Sequence, residues 1–357
     1  MSTPRVRTGS RPAAGDTDPS NARDALRRLV EEMAGRKLPG ERELSERLSV
    51  SRQKLRTLLD RLEAEGVVVR RQGSGTYAAE IREDQFQHVG LLIDQRLKLG
   101  DDPFFSLLTE RLQLGLQSAG IHCFVERIDG ASRPRYLGQG AITVGLAGRR
   151  ILRHLRVADP PVVGLLDEPL DGPAPHPDRM SLLMVEDRYA GREAGHRIAA
   201  EGYRRVLYVG REDITASRLR CAGVRDTVEP HAIALEQVSC GMNYRAGREV
   251  AGQLAGFFEN GTTPGVVVAA NDWLAVGIRT GLAEAGIPED TAPIVSFDGL
   301  PIASDPTLGI RSLSYPMVSI VDDAIAELRR LARHHRGRVI RYTMEWTDGW
   351  TAGPENG

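Results

Sequence analysis

Residues 49–77, SVSRQKLRTLLDRLEAEGVVVRRQGSGTY, decide how the front of this chain is read. Ser51 is placed to cap a helix, since its hydroxyl can accept from an early backbone N–H. Leu55, Leu58, Leu59 and Leu62 then follow at i, i+3, i+4 and i+7, the spacing of one buried helix face. Gly66 ends the helix, and VVVRRQGSGTYAA reads as two short β runs around a Gly-Ser-Gly turn. Arg52, Gln53, Arg56 and Thr57 fall outside the leucine stripe, with Lys54 adding charge in the first turn. Such a surface suits a DNA major groove, where arginine can fork onto a guanine edge and glutamine can pair with adenine. Arg70 and Arg71, with the narrow tip Gly73-Ser74-Gly75, suit a wing lying along the DNA backbone or minor groove. The plainer alternative is a solvated amphipathic helix beside an ordinary hairpin.

Upstream, residues 22–34 place Ala22, Leu26, Leu29, Val30 and Met33 at helical spacing. A basic loop with Pro39 follows, then a short helix over 41–48 carrying Leu44 and Leu48. Three helices closed by a hairpin predict a winged helix-turn-helix over residues 21–79. Residues 1–20 read as a disordered lead, too polar to bury anything, and EIREDQFQ at 80–87 as a linker. From His88 the texture changes to apolar runs alternating with helices. HVGLLID, CFVERI, AITVGL, PVVGLLD, RMSLLMV, RRVLYVG, GVVVAAN and APIVSFD read as strands. Helices are expected at 104–119, 190–201, 215–228, 243–259, 272–285 and 316–335. The fold class is therefore α/β, with parallel sheets covered on both faces. So long a stretch predicts two lobes over residues 88–350, with 351–357 a tail.

Composition narrows the function. The chain has 357 residues, 41% apolar and 27% charged, which fits several globular domains. Net charge is −1, but its distribution is uneven. Residues 1–20 carry three Arg against two Asp, and residues 21–80 carry 13 Lys and Arg against 10 Asp and Glu, leaving −5 for the rest. The basic charge gathers at the front. Cys123, Cys221 and Cys240 match no metal or disulfide spacing and fit a reducing compartment. With no apolar run near membrane length and no hydrophobic leader, the expectation is a cytoplasmic protein without membrane, metal or cofactor.

Four places in the back half carry chemistry. DDPFFSLLTERLQLGLQSAG brings Phe104 and Phe105 into a helix after the first strand. ASRLRCAGV puts Arg220 in a helix after RRVLYVG. VVVAANDWLAVG ends a strand on Asn271 and Asp272 with Trp273 next, and IVSFDG ends another on Asp298. Ligands of open α/β sheets bind beyond the carboxyl ends of strands. Amides, carboxylates and arginine there can bond hydroxyls in pairs while an aromatic ring covers a sugar face, so these are parts of a polyol site. Each has a structural alternative: Asp272 reads as a helix N-cap, Trp273 as core packing, and Phe104 and Phe105 as either core or pocket.

LPGERELSERLSVSRQKLRTLLDRLEAEGVVVRRQGSGTY resembles the DNA-binding domain of the GntR family. The resemblance implies DNA contacts from Arg42, Arg52, Arg56 and Gly73. Gly40 stands where the family often has Ser, implying a weaker cap on the second helix. The segments GREAGHRIAAEGYRRVLYVG, SRLRCAGV, AANDWLAVGIRTGLAEAGI and IVSFDGLPIAS are similar, in that order, to the effector domain of LacI/GalR regulators, a periplasmic-binding-protein-like fold. That resemblance implies effector contacts from Arg220, Asn271 and Asp298, with Asp167 a weaker candidate. Between FVERID and AITVGL the family has a further helix, for which GASRPRYLGQG is too short. A GntR-like head in place of the LacI-type head resembles the arabinose-repressor type of GntR regulator.

The expected function is a ligand-responsive repressor of a carbohydrate-utilisation operon, a homodimer on double-stranded operator DNA sensing a sugar or related polyol. A sugar-converting enzyme and a sugar-binding protein remain as alternatives. The sequence holds no GxxxxGK[ST], HExxH or GxSxG and no well-placed GxGxxG, so no catalysis is expected.

Overall fold

The computed structural model describes residues 22, 25–26, 29–30, 32–33, 35–64, 67–71, 73–78, 86–129, 134, 137–145, 160–166, 180–259, 264–333 and 336–347. The chain divides into two compact units, residues 1–88 and 89–357. The expected lead, most of the expected linker, the tail, Asp167 and most of the 130–136 stretch lie outside the described residues.

In the first unit, helical residues among 22–32 precede α1 (Glu41–Arg47), α2 (Arg52–Ala64) and an antiparallel hairpin of β1 (Val68–Arg71) and β2 (Gly75–Ala78). Ala22, Leu26, Leu29, Val30, Leu44, Leu55, Leu58, Leu59 and Leu62 form its buried core with Val68 and Ala78 of the hairpin. The leucine stripe thus closes a core too small to form without both neighbours. Residues 36–38 pair with β2: Leu38 N–H donates to the Thr76 carbonyl at 2.8 Å and Ala78 N–H to that of Arg36 at 2.9 Å. Gly75 has φ +115°, and a Cβ there would meet Lys37 Cε at 2.8 Å. The hairpin therefore needs glycine at that point.

The second unit carries two six-stranded sheets. One has the order β13-β7-β6-β5-β3-β4, from β3 (His88–Asp94), β4 (His122–Ile128), β5 (Gly140–Val144), β6 (Val162–Leu165), β7 (Met180–Val185) and β13 (Val339–Tyr342). The other has the order β14-β12-β11-β10-β8-β9, from β8 (Arg205–Gly210), β9 (Ala234–Ser239), β10 (Gly265–Ala269), β11 (Ile294–Asp298), β12 (Ile310–Ser314) and β14 (Glu345–Trp346). Pairing among the central strands is parallel, and β14 pairs antiparallel with β12. Helices α3 (Pro103–Ser118) and α8 (Met317–Ala332) pack with the first sheet. Helices α4 (Asp187–Ala200), α5 (Thr215–Val228), α6 (Tyr244–Glu259) and α7 (Asp272–Glu284) belong with the second, α4 against α5 and α6 against α7. The chain passes between lobes after β7, after β12 and again between β13 and β14. Two α/β lobes behind a winged helix-turn-helix is the architecture expected from the sequence.

The structure also corrects that reading. Strands β9, β12, β13 and β14 were not among those expected. β9 and β13 are half exposed and mix polar with apolar residues, and β12 interleaves Arg311, Ser312 and Ser314. None forms an apolar run. Helix α4 begins at Asp187 rather than 190, and its polar first turn, DRY, hides that start from an apolar pattern.

Candidate nucleic-acid interface and effector site

Helix α2 starts as its sequence implies: Lys54 N–H donates to Ser51 Oγ at 3.3 Å. Helix α1 is capped by Gly40 with no side-chain bond. With the leucines facing the core, Arg52, Gln53, Arg56 and Thr57 are all exposed. The arginines differ in how they are held. Arg42 Nε donates to Glu46 Oε1 at 3.2 Å within α1, while Arg56 Nε crosses to Glu41 Oε2 at 2.9 Å. Arg70 Nη1 lies 2.5 Å from Asp60 Oδ1 and 3.2 Å from Glu63 Oε2, so this wing residue is tied back to α2. The Arg71 guanidinium sits 4.7 Å from the Tyr77 ring centroid, and Ser74 Oγ meets the Tyr77 hydroxyl at 2.6 Å. Thr57 spends its hydroxyl on the Gln53 carbonyl. Gly73, at φ +74°, turns the tip of the wing.

The second site centres on Arg220, which is 2% exposed. It follows β8 on α5, so its side chain meets groups at the carboxyl ends of the neighbouring strands. Nε donates to Asp187 Oδ1 at 2.8 Å, and Nη1 to the Ala270 carbonyl at 2.6 Å and Asp298 Oδ1 at 3.3 Å. Nη2 donates to the Tyr315 hydroxyl at 2.5 Å. The Phe297 ring lies 4.9 Å from the guanidinium carbon. Burial opposes the Arg220 charge, but Tyr315, Asp187 and Asp298 raise its pKa well above normal. Burial pushes the Asp298 pKa up from its ordinary value, with Arg220 opposing the rise and Asp272 and Asp102 adding to it. Phe104, entering α3 from the other lobe, sets its ring 4.6 Å from that of Tyr315. Asp298 and Tyr315 also line a cavity of about 300 Å³ with Leu107, Arg111 and Ser314. A carboxylate, a phenol and hydroxyls around one buried guanidinium can exchange hydrogen bonds with a polyol.

Asp298 is backbone-strained, at φ +121°. The turn that follows it is braced by Asp272, which is not an N-cap as the sequence suggested. Asn271 caps α7 instead: it has extended backbone, and its Oδ1 accepts from Leu274 N–H at 2.9 Å. Asp272, already helical, turns inward. It accepts from Ser296 Oγ at 2.5 Å, Ser312 Oγ at 2.6 Å and Leu300 N–H at 2.6 Å. Ser312 Oγ accepts in turn from Gly299 N–H at 3.1 Å. Gly299 has φ +70°, and a Cβ there would fall 2.1 Å from Ser314 Oγ, so the turn after Asp298 admits only glycine. Burial raises the Asp272 pKa to about 6.

Of the residues the sequence singled out, Arg220, Asp298 and Phe104 are gathered at this centre. Asn271 lies next to it but uses Nδ2 on the Met242 carbonyl at 3.3 Å. Trp273 turns to Tyr244, with ring centroids 5.3 Å apart. Asp187, Tyr315 and the Ala270 carbonyl were missed. Tyr315 closes β12, and recognising that strand would have found it by the same strand-end logic.

Residues 20–78 match the model of bacterial regulatory proteins of the gntR family, and residues 196–348 match the periplasmic binding protein-like domain. A GntR-type head shares one chain with a periplasmic-binding-protein-like body. A candidate regulatory protein of the L-lactate dehydrogenase operon in Escherichia coli is 38% identical over 86 residues, 23% of this chain and 33% of that protein. The E. coli transcriptional regulator AscG is 26% identical over 130 residues, 36% of this chain and 38% of its own length. The chain thus spans between 33% and 38% of the length of these relatives. In three dimensions the AscG crystal structure gives a TM-score of 0.58 at 17% identity, covering 73% of this chain and 97% of that one. A LacI-family regulator of Enterococcus faecium, crystallised with bound ribose, gives 0.59 at 18%, covering 73% and 96%. These structures share the two-lobed fold of the body. Among the described residues, no helix is long and apolar enough to cross a membrane, and no cluster of His, Cys, Asp and Glu could hold a metal ion.

Proposed function

We propose that the chain is a ligand-responsive transcriptional regulator, a repressor acting on DNA in the cytoplasm. Residues 21–79 are its DNA-binding domain, 80–87 its linker and 88–350 its effector and dimerisation domain. The observation that carries this reading is the outer face of α2: Arg52, Gln53, Arg56 and Thr57 stand exposed on a helix whose other face is closed by leucines. A helix so presented, beside a basic wing, fits the major groove with phosphates on either flank. Arg42, Arg70, Arg71 and Gly73 complete that surface.

The effector is a small sugar or related polyol bound between the lobes at Arg220 and Asp298, with Phe104 and Tyr315 as its aromatic wall. Asn271 and Trp273 border the site. The ribose bound to the Enterococcus relative supports this chemical class. The Phe104–Tyr315 contact joins the lobes, so a ligand that alters the Arg220–Tyr315 bond changes lobe closure. It shifts DNA binding only by its differential affinity for the open and closed states.

Footprinting the full chain on DNA upstream of its own gene, with ribose and other sugars titrated in, tests this reading. A homodimer protects two half-sites related by a two-fold axis, since the symmetry of protein and DNA must match. One half-site held by a monomer would overturn the dimer, and protection unmoved by every sugar would overturn the effector class.

A further inference from the structure

We propose that Glu41 is a positioning residue for base recognition: it braces Arg56 so that the free edge of the guanidinium is presented to a guanine. The inference rests on the DNA-binding reading of the head. Glu41 opens α1, and Arg56 lies one turn into α2, so their 2.9 Å bond spans the two helices of the helix-turn-helix. Both side chains are solvent-exposed, Arg56 by 66% and Glu41 by 36%. An exposed ion pair adds little to stability. A carboxylate beside a DNA-facing helix also weakens attraction for a polyanion. The pair is therefore poorly explained as a fold-holding contact or as an aid to general DNA affinity.

What it supplies is geometry. Arginine has many rotamers, and fixing one of them before binding lowers the entropy lost on recognition. The brace engages Nε and leaves the two Nη groups, a pair that can fork onto O6 and N7 of guanine. The other arginines of this surface are held differently. Arg42 is tied within its own helix by Glu46, and Arg70 is turned toward Asp60 and Glu63. Arg52, four residues before Arg56, has no carboxylate partner among the described residues. Glu41 thus sacrifices some general affinity and sharpens one contact.

The test is selection of binding sites by the full chain from a duplex library with a randomised core, run for the parent, Glu41→Gln and Arg56→Ala. The selected duplex and a scrambled one are then compared over a range of salt. Glutamine keeps the shape of the side chain and removes its charge. The parent is expected to select a site containing guanine, and Arg56→Ala to lose preference at one position. Glu41→Gln is expected to weaken preference at that same position about fivefold, the scale of an exposed ion pair. It should at the same time bind scrambled DNA more tightly, with a steeper salt dependence. Opposite signs on selected and scrambled DNA cannot come from a loss of folding. Unchanged base preference in Glu41→Gln overturns the proposal. So does equal weakening on both duplexes together with a lower melting temperature. If the parent enriches no sequence at all, the DNA-binding reading fails first, and this inference with it.

Discussion

In the head, Arg52 and Arg56 stand exposed on α2; in the body, Arg220 is 2% exposed and its three nitrogens all donate to protein oxygens. One side chain is used in two ways. An exposed arginine keeps its hydration and can trade it for a phosphate or a base edge. A buried one has lost its water, and the carboxylates around it replace what was lost. Function can therefore be tested by simple deletion in the head. In the body, deletion tests stability and recognition together.

The strongest way to break this contrast is Arg220→Ala. It leaves Asp187 and Asp298 around a buried gap without their cation, and removing one partner of a buried pair costs about 3–5 kcal/mol. Calorimetric melting of the body is expected to fall accordingly. Arg220→Lys should recover part of the loss, since it restores charge but not the planar fork. An Arg220→Ala protein that melts like the parent would show that the cluster does not hold this part of the fold.

A smaller effect sharpens the contrast through pH. Burial lifts Asp272 from 3.8 to about 6, so the folded body holds a proton more tightly than the unfolded chain does. Its contribution is fully present below the unfolded value and is lost as pH rises through about 6. The size is at most about 3 kcal/mol, from a shift of about two units. Asp298 is displaced in the same direction, by burial. Melting temperature is expected to fall from about pH 4 to pH 6, and less steeply in Asp272→Asn. Equal slopes in the two proteins would remove Asp272 from this account.

The head was more legible than the body, for a physical reason. Its elements are amphipathic, so Leu55, Leu58, Leu59 and Leu62 mark one face and leave the other to be read directly. The central strands of the body are buried on both faces and announce themselves as apolar runs, whereas β9 and β12 do not. With β12 unread, Tyr315 had no strand end to stand on. Asp187 was missed because a polar first turn hides the start of α4. Asn271 and Asp272 are both plausible caps by type, and only backbone geometry assigns the cap to Asn271 and turns Asp272 inward. A periodic pattern reveals which face is buried. It does not reveal which polar groups share a buried centre, because those come from segments far apart in the chain.

The finest distinction lies within the head, between Arg52 and Arg70. Arg52→Ala removes an exposed side chain that makes no ion pair among the described residues, so melting should not change. If it reads a base edge, specific affinity falls by about 1–3 kcal/mol and preference relaxes at one position. Arg70 is different, because its guanidinium already neutralises Asp60 and Glu63. Arg70→Ala therefore subtracts a positive charge and frees two carboxylates on α2. Both changes repel phosphate and neither touches a base. Its expected result is weaker binding to every sequence, by about 1 kcal/mol or less at physiological salt, with a shallower salt dependence and unchanged base preference. Competition between selected and scrambled duplexes at two salt concentrations separates the two variants. A change of base preference in Arg70→Ala would mean that the wing reads sequence, and that its pairing with α2 breaks on DNA.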